Sequence, residues 1–300
     1  MRSLEKRNQL EYYLFLAPGL LWFSLLIIFP FLANVAISLT TWSGVGIPKW
    51  VGVANYVKAF QDVVFWVSFR NNLLLIIAMT IIPTIIGMLL AVLLFDIVAK
   101  HIGQSVASFF RAGYYLPQVI TLVVSAYTWK WIFHPNWGAA NWALKALGMQ
   151  PLNWLGDPKM AMGSIMIMMA WRQIGYPLVI FMAALQRIDP QLYESAAIDG
   201  AGWWRSLFSI TIPQIMAEIY VVVLTTVIDA LKIFAPVYAM TGGGPGYATS
   251  VAGYFSFKNF FERGRVGYGS AVATVLGALI LLITILFITV QSKRDKEQAK

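Results

Sequence analysis

Two long stretches without any charged residue restrict this chain more than any other feature of its sequence. Residues 270–290 form one uncharged run of 21 residues, and residues 71–95 form another of 25. About 20 apolar residues in a helix, at 1.5 Å each, cross roughly 30 Å of hydrocarbon. Only 12% of the residues are charged, whereas soluble domains average about 25%. We therefore predict an all-α polytopic membrane protein.

The hydrophobic pattern predicts six transmembrane helices within a single domain, residues 12–292. The predicted spans are approximately 12–40, 71–95, 112–131, 160–185, 213–236 and 270–290. Two basic tails, 1–11 and 293–300, flank this domain and hold seven of the 22 lysines and arginines. Cationic flanks stay cytoplasmic, and an even number of spans returns the chain to its starting side. Both termini are therefore predicted to be cytoplasmic.

The charge of the predicted outer loops is less decisive for this orientation. The basic residues that fall on the outer side are Lys49, Lys58, Arg70, Lys145, Lys159, Lys258, Arg263 and Arg265. We give the short tails more weight, because charges close to the ends of spans decide orientation most strongly. The net charge of +9 then indicates contact with anionic lipid rather than with nucleic acid.

A polar segment, residues 186–212, joins the fourth and fifth spans and is predicted to face the cytoplasm. Asp189 followed by Pro190 is typical of a helix start, with a side-chain cap and proline at the first helical position. Gly200 lies where such a helix would stop. The small residues of this predicted helix are Ala196, Ala197, Gly200 and Ala201, and the flanking acids are Glu194 and Asp199. Composition alone is equally compatible with a solvated connector.

This segment resembles the EAA loop of permease subunits of ABC importers. The stretch "ESAAIDG" is followed after nine residues by "ITIP", and these offsets match the family pattern of Glu-Ala-Ala, three residues, Gly, nine residues, Ile, one residue, Leu-Pro. Ser195 replaces an alanine and Ile212 replaces the leucine. The longer form "YESAAIDGA" with a later Phe is similar to the carbohydrate-importer subgroup of the MalF type.

Several other stretches are similar to the same subgroup, so the resemblance covers nearly the whole chain. They are "YLFLAPGLLWFSLLIIFP", "WVGVANYVKAFQD", "FAPVYAMTGGGPGYATS" and "GYGSAVATVLGALILL". The resemblance implies a type I ABC-importer permease fold in a bacterial or archaeal plasma (inner) membrane. It also implies that residues 186–212 form a coupling loop that docks on a cytoplasmic ATPase. The expected coupling residues are Tyr193, Glu194, Ala196, Ala197, Asp199, Gly200, Ala201, Phe208 and Pro213.

The resemblance also implies partners of three kinds. These are a second homologous permease subunit, two ATP-binding subunits and an extracytoplasmic sugar-binding protein, with ATP and Mg²⁺ bound by the ATPase and no cofactor in this chain. The chain itself carries no G-x-x-x-x-G-K-[ST] phosphate loop, and its "TGGGPG" stretch lacks the lysine. We expect neither a catalytic residue nor a metal site, because the chain holds two histidines and no cysteine.

Two other functional classes predict sequence features that this chain lacks. A secondary transporter would predict internal repeats with broken helices in matching halves, and no convincing repeat is present. An intramembrane enzyme would need a nucleophile with its base, or metal ligands, within the spans, and the sequence offers neither.

Ionisable residues inside the spans indicate where a substrate could pass, since such groups are costly in lipid. Asp229 and Lys232 are three residues apart, so they either neutralise each other or face a sugar-binding cavity. Aromatic rings supply flat faces for a pyranose ring. The predicted substrate path consists of Tyr127, Trp131, Arg172, Gln173, Tyr176, Asp229, Lys232 and Phe234. A di- or oligosaccharide is the expected substrate, with glycerol 3-phosphate or another polyol-type solute as the alternative.

Overall fold

The computed structural model describes residues 15–298, with side chains as far as residue 292. The predicted N-terminal tail, 1–11, lies outside the described residues. Two strands of two residues each, β1 (Thr40–Thr41) and β2 (Lys49–Trp50), pair antiparallel. The helices are α1 (Phe15–Ser38), α2 (Ala54–Gln61), α3 (Val63–Ile102), α4 (Gln104–Val119), α5 (Leu122–Ile132), α6 (Ala139–Ala146), α7 (Ala161–Leu185), α8 (Pro190–Ile198), α9 (Trp203–Gln214), α10 (Met216–Leu231), α11 (Ala235–Met240), α12 (Ala252–Phe257) and α13 (Val266–Gln298).

Four helices in the described part of the chain are long and apolar enough to cross a membrane, namely α1, α3, α7 and α13. Helices α9 and α10 meet at a bend of 72° and together could form a fifth crossing. Large apolar side chains remain exposed along α1, for example Phe15 at 87%, as expected where a helix faces lipid rather than water. The all-α membrane fold is confirmed, whereas the count of six spans stays a prediction.

The predicted third span, 112–131, is not one helix. Helix α4 ends at Val119 and α5 begins at Leu122, because Ile120 and Thr121 have extended backbones with ψ of 135° and 144°. Pro117 lies within the last turn of α4, where its ring removes a backbone donor. The first break in the apolar helices is therefore at residues 120–121.

A second break follows α10, so the predicted span 213–236 is likewise divided between helices. The helical chain enters through α9, bends at Ile215 and leaves the helix at Lys232. Three residues later α11 begins, with proline near its N-terminus. Helix α13 is longer than the predicted 270–290, since it runs to Gln298 through most of the predicted C-terminal tail.

The chain divides into two compact units, the first of which holds the described residues up to Asp62 together with Ser256–Val275. Asn55 is buried in this unit and links α2 to the end of α1 and to β1. Its side-chain Nδ2 donates to the carbonyl oxygens of Ser38 and Thr40, each at 2.8 Å. Gly267 packs directly on the Thr40 carbonyl, where a Cβ atom would collide. Glycine here lets the start of α13 approach the strand.

The second unit holds Val63–Phe255 and the chain from Leu276 onward. One apolar cluster surrounds Leu75, Ile165 and Met168, and another surrounds Leu178 and Phe181. Helices α3 and α7 pack closely because α3 carries Gly87, where an added Cβ would lie 2.9 Å from the Pro177 Cβ. Small residues at helix contacts allow the close packing on which apolar helices in lipid depend.

Candidate functional site

The polar segment between α7 and α10 forms an elbow, residues 186–215, which contains α8 and α9. Helix α8 starts as the sequence predicts. The Asp189 carboxylate accepts a hydrogen bond from the Gln191 amide at 2.9 Å, and Pro190 occupies the first helical position. A side-chain cap of this kind contributes about 1 kcal/mol. The predicted N-terminus of this helix is confirmed.

The predicted helix stop at Gly200 is also confirmed. Gly200 adopts φ +74°, and its amide donates to the Ala197 carbonyl at 3.1 Å. The Ala201 amide donates to the Ala196 carbonyl at 2.9 Å. This pair of bonds is a Schellman motif, and the left-handed residue in it favours glycine because a side chain there costs about 1–2 kcal/mol.

Helix α8 has no buried residue. Glu194 and Asp199 are exposed, and neither forms an ion pair with any residue that the structure describes. Asp199 ends α8 and does not cap the next helix, α9, whose N-cap residue is Gly202. Ile198 is 87% exposed. A helix of nine residues is marginal in water without packing, so its free face has the character of a docking surface.

One contact joins the two helices of the elbow, and another joins the elbow to α10. The Tyr193 hydroxyl lies 2.9 Å from Thr211 Oγ1, and burial raises the pKa of this phenol, which keeps it neutral. Arg187, just after α7, forms an ion pair with Glu218 in the first turn of α10. The sequence reasoning missed Arg187, although a basic residue at the end of a predicted span is a usual anchor.

The other two predicted coupling residues lie away from α8. Phe208 is on α9, 63% exposed, with its ring 6.3 Å from that of Trp204. Pro213 lies in the last turn of α9, directly before the bend. The predicted coupling residues therefore fall into two groups. One group lies on or directly after the exposed helix α8, and the other lies on α9, which leads into α10.

A cavity of about 410 Å³ lies in the second unit, between the two helix breaks. Its wall includes five of the eight predicted substrate-path residues: Arg172, Gln173, Asp229, Lys232 and Phe234. The residues that the sequence reasoning missed are Met79, Gln118, Leu122, Met169, Ile233 and Ala235. Irregular backbone in an apolar helix bundle is tolerated where it is buried or lines a water-filled cavity. Residues at or beside both breaks line this cavity, namely Gln118 and Leu122 at the first and Lys232, Ile233 and Phe234 at the second.

Arg172 holds the first break together. Its Nη2 donates to the carbonyl oxygens of Gln118 at 3.1 Å and Ile120 at 3.3 Å, and its Nη1 donates to Gln118 Oε1 at 3.1 Å. These carbonyls have lost their helical partners, and an unsatisfied buried carbonyl costs about 1–3 kcal/mol. A cation at a helix C-terminus is also favourable. Arg172 is thus a structural element of the cavity wall.

Asn72 has the same role at the second break. Its buried amide donates to the carbonyl oxygens of Ala230 at 3.0 Å and Leu231 at 3.2 Å, and its Oδ1 accepts from the Ala252 amide at 2.9 Å. The end of α10 is therefore satisfied from a neighbouring helix. A signal was present in the sequence, since the asparagines Asn71 and Asn72 open an otherwise apolar run.

Asp229 and Lys232 both pair with each other and face the cavity, so the two alternatives that the sequence left open coexist. Lys232 Nζ lies 3.5 Å from Asp229 Oδ1, and both side chains are more than half exposed, at 58% and 54%. At such exposure the pair contributes little to stability. It presents a carboxylate acceptor and an ammonium donor side by side, next to the ring of Phe234.

Three predicted substrate-path residues do not line this cavity. Tyr127 and Trp131 lie with Val124 along a separate shallow depression on α5, because the break at residues 120–121 prevents α5 from continuing the face of α4. The Tyr176 hydroxyl lies 3.2 Å from Thr225 Oγ1, and its ring packs on the second apolar cluster. Gln118, by contrast, belongs to the cavity, and its position after Pro117 within a predicted span was the available signal.

Comparisons with known proteins agree with this architecture. A family model described as "Binding-protein-dependent transport system inner membrane component" matches residues 97–295. The probable ABC transporter permease protein YurN of Bacillus subtilis is 36% identical over 96% of each chain. The trehalose/maltose transport system permease protein MalF of Thermococcus litoralis is 33% identical over 94% of each, and the lactose transport system permease protein LacF of Rhizobium radiobacter is 30% identical over 98% of each.

The fold also matches a solved structure. A chain of a bacterial ABC transporter involved in the import of the acidic polysaccharide alginate superimposes with a TM-score of 0.81, covering 98% of this chain and 99% of that one. The two sequences are 22% identical, so this likeness concerns the fold.

Proposed function

The chain belongs to the family of binding-protein-dependent transport system inner membrane components, and from this premise we propose that it is the permease subunit of an ABC importer for a neutral di- or oligosaccharide. Relatives that cover nearly the whole chain are named for trehalose and maltose or for lactose. Such a subunit needs a surface that docks on the ATPase and a cavity that binds the sugar, and we assign these roles to the elbow and to the cavity between the two breaks.

The proposed assembly contains this chain, a second homologous permease subunit, two ATP-binding subunits and an extracytoplasmic sugar-binding protein. ATP and Mg²⁺ bind to the ATP-binding subunits. The chain spans the plasma (inner) membrane several times with both termini in the cytoplasm, so the elbow faces the ATPase and the loop after α11 faces the outside. This permease transmits movement and catalyses no reaction itself.

The observation that supports this function most directly is the exposed helix α8. It is capped at both ends, by Asp189 and by the turn at Gly200, yet it buries none of its own residues in this chain. A short helix with fixed ends and an unpartnered face suits insertion into a cleft of another protein. Glu194 is exposed on α8 and is available for an ion pair with a basic residue of the ATPase.

The chemistry of the cavity favours a neutral sugar over a phosphorylated polyol. Asp229 and Lys232 offer an acceptor and a donor 3.5 Å apart, which matches neighbouring hydroxyl groups, and Phe234 offers an apolar face for the ring. A phosphate ester would call for cations free to form charge-assisted bonds. Arg172 is committed to Gln118 and Ile120, and the charge of Lys232 is balanced by Asp229.

The test is ATP-driven uptake of radiolabelled maltose, trehalose and lactose by the reconstituted importer, measured together with ATP hydrolysis. We expect Glu194→Lys and Gly200→Pro to insert normally while the number of sugars transported per ATP falls sharply. Proline cannot adopt the φ of +74° found at Gly200, so the end of α8 must rearrange.

Gly148 provides a matched control for the glycine substitution. It ends α6 with φ +73°, and the amides of Gly148 and Met149 donate to Lys145 and Leu144 in the same Schellman arrangement. Its predicted position is on the outer side, so Gly148→Pro carries the same local strain without touching the ATPase. Equal uncoupling by both proline variants would refute the coupling role, and uptake driven by an ion gradient without ATP would refute the importer.

A further inference from the structure

The predicted outer loops carry more positive charge than orientation alone explains. Under the proposed topology they hold eight lysines and arginines, named above, against the three acids Asp62, Asp157 and Glu262. Basic residues are normally concentrated on the cytoplasmic side. An excess of positive charge on the opposite side therefore calls for a partner that benefits from it.

Part of this charge surrounds a crevice of about 380 Å³ within the first unit. Trp42 contributes aromatic surface, the largely buried ring of Tyr268 backs the wall, and Lys58 and Arg265 contribute positive charge. The crevice is preformed, because the Val266 amide donates to the Trp42 carbonyl at 2.9 Å and joins the two walls. Below them lies the buried side chain of Asn55, whose bonds to Ser38 and Thr40 fix the floor.

Tyr268 is fixed in the wall of the crevice, and the two basic residues Lys58 and Arg265 are exposed. The Tyr268 hydroxyl donates to Asp62 Oδ2 at 2.8 Å, which fixes the ring. Lys58 Nζ lies 5.4 Å from the centre of that ring, within the range of a cation–π contact. Arg265 is exposed, and its side chain forms no hydrogen bond or ion pair with any residue that the structure describes.

We infer that this crevice, lined by Trp42, Lys58, Arg265 and Tyr268, is a docking point for an acidic loop of the extracytoplasmic binding protein, with a carboxylate of that loop between Lys58 and Arg265. The inference rests on the proposed function. Tryptophan, tyrosine and arginine are the residues that dominate binding energy at protein interfaces. Charge complementarity at the rim accelerates encounter and fixes register, and a concave aromatic crevice suits one protruding side chain better than a flat lipid surface.

The test is stimulation of ATP hydrolysis by the sugar-loaded binding protein, titrated against the full importer in nanodiscs of zwitterionic lipid. We expect Lys58→Glu or Arg265→Glu to raise the half-saturating concentration of binding protein about tenfold at low salt, since one unfavourable rim charge changes association on this scale. The maximal stimulated rate should change far less. Raising the ionic strength to about 1 M, where the Debye length is near 3 Å, should remove most of the difference.

Lys145→Glu is the matched control, because Lys145 is exposed on α6 and predicted to lie on the same side but outside the crevice. It should leave the half-saturating concentration unchanged. The neutral variants Lys58→Gln and Arg265→Gln should give smaller shifts in the same direction, which separates charge from misfolding.

Each other outcome has a distinct meaning. If wild type is stimulated normally and the crevice variants behave like Lys145→Glu, the docking point is wrong while the proposed function stands. If a defect appears only when the nanodiscs contain anionic lipid, the crevice contacts lipid and the inference is overturned. If no sugar-loaded binding protein stimulates wild type at any concentration, the proposed function itself fails.

Discussion

Replacing Arg172 tests whether this residue holds the cavity wall together or binds the sugar. Arg172→Met keeps an unbranched side chain in place of the aliphatic stem and removes all three hydrogen bonds to Gln118 and Ile120. A hydrogen bond with a charged partner contributes about 1.5–3 kcal/mol. Because the freed carbonyls border a cavity, water can replace part of this, and we expect a loss of about 2–4 kcal/mol in the free energy of unfolding.

The measurement is unfolding of the purified permease in mixed detergent, followed by tryptophan fluorescence, beside sugar uptake over a range of concentrations. Gln118→Ala is the control for the side-chain part of the network, since it removes one acceptor and leaves both carbonyls bonded. It should lose about 1 kcal/mol. Arg172→Lys should lie between wild type and Arg172→Met, because a single ammonium nitrogen on a shorter side chain replaces the two guanidinium nitrogens that share the three bonds.

A structural role predicts that Arg172→Met lowers the stability and the maximal uptake together. If the variant instead unfolds like wild type and only its apparent affinity for sugar falls, the guanidinium contacts substrate and the account of the first break is wrong.

Two further substitutions test the cavity and the elbow. Asp229→Asn keeps the shape of the side chain and removes the charge that balances Lys232. The apparent KM for a neutral sugar should then rise about tenfold, as for loss of one charged hydrogen bond, while the free energy of unfolding stays unchanged. An unaltered KM would show that the sugar binds elsewhere. Glu218→Gln breaks the ion pair with Arg187 and should lower the number of sugars transported per ATP, with sugar affinity retained; normal coupling would show that the pair is only a surface contact.

The elbow was the part that sequence could predict in detail. The cap at Asp189 and the turn at Gly200 depend on residues within a few positions of one another, and local rules of this kind need no knowledge of the rest of the fold. The long uncharged runs likewise predicted α3 and α13, because crossing a membrane is a requirement on length and composition alone.

The cavity could be predicted only in part, since its wall depends on contacts between distant segments. Arg172 and Gln118 are 54 positions apart, and Asn72 and Ala230 are 158 apart. Apolar composition gives no sign of a break when a polar side chain on another helix satisfies the freed carbonyls. For that reason the sequence predicts one span over residues 112–131, and it groups Tyr127 and Trp131 with residues from which the structure separates them.

The geometry of the elbow explains how movement at α8 would reach both walls of the cavity. The pair formed by Arg187 and Glu218 joins the end of α7 to the start of α10. From this junction, α7 leads back from Leu185 to Arg172 and α10 leads forward from Met216 to Asp229, a length of about 20 Å of helix in each case. A helix resists compression, so displacement of the elbow by the proposed ATPase partner would reach both breaks with little loss.

The breaks are then the places where that movement can be absorbed. Their carbonyls are held by side chains, Arg172 at one and Asn72 at the other, rather than by an uninterrupted backbone ladder. At the first break, where Arg172 and Gln118 line the cavity, such bonds can be exchanged for bonds to water at small net cost, since a water-mediated bond is nearly as favourable as a direct one. A continuous helix at either position would transmit the same push past the cavity without opening it.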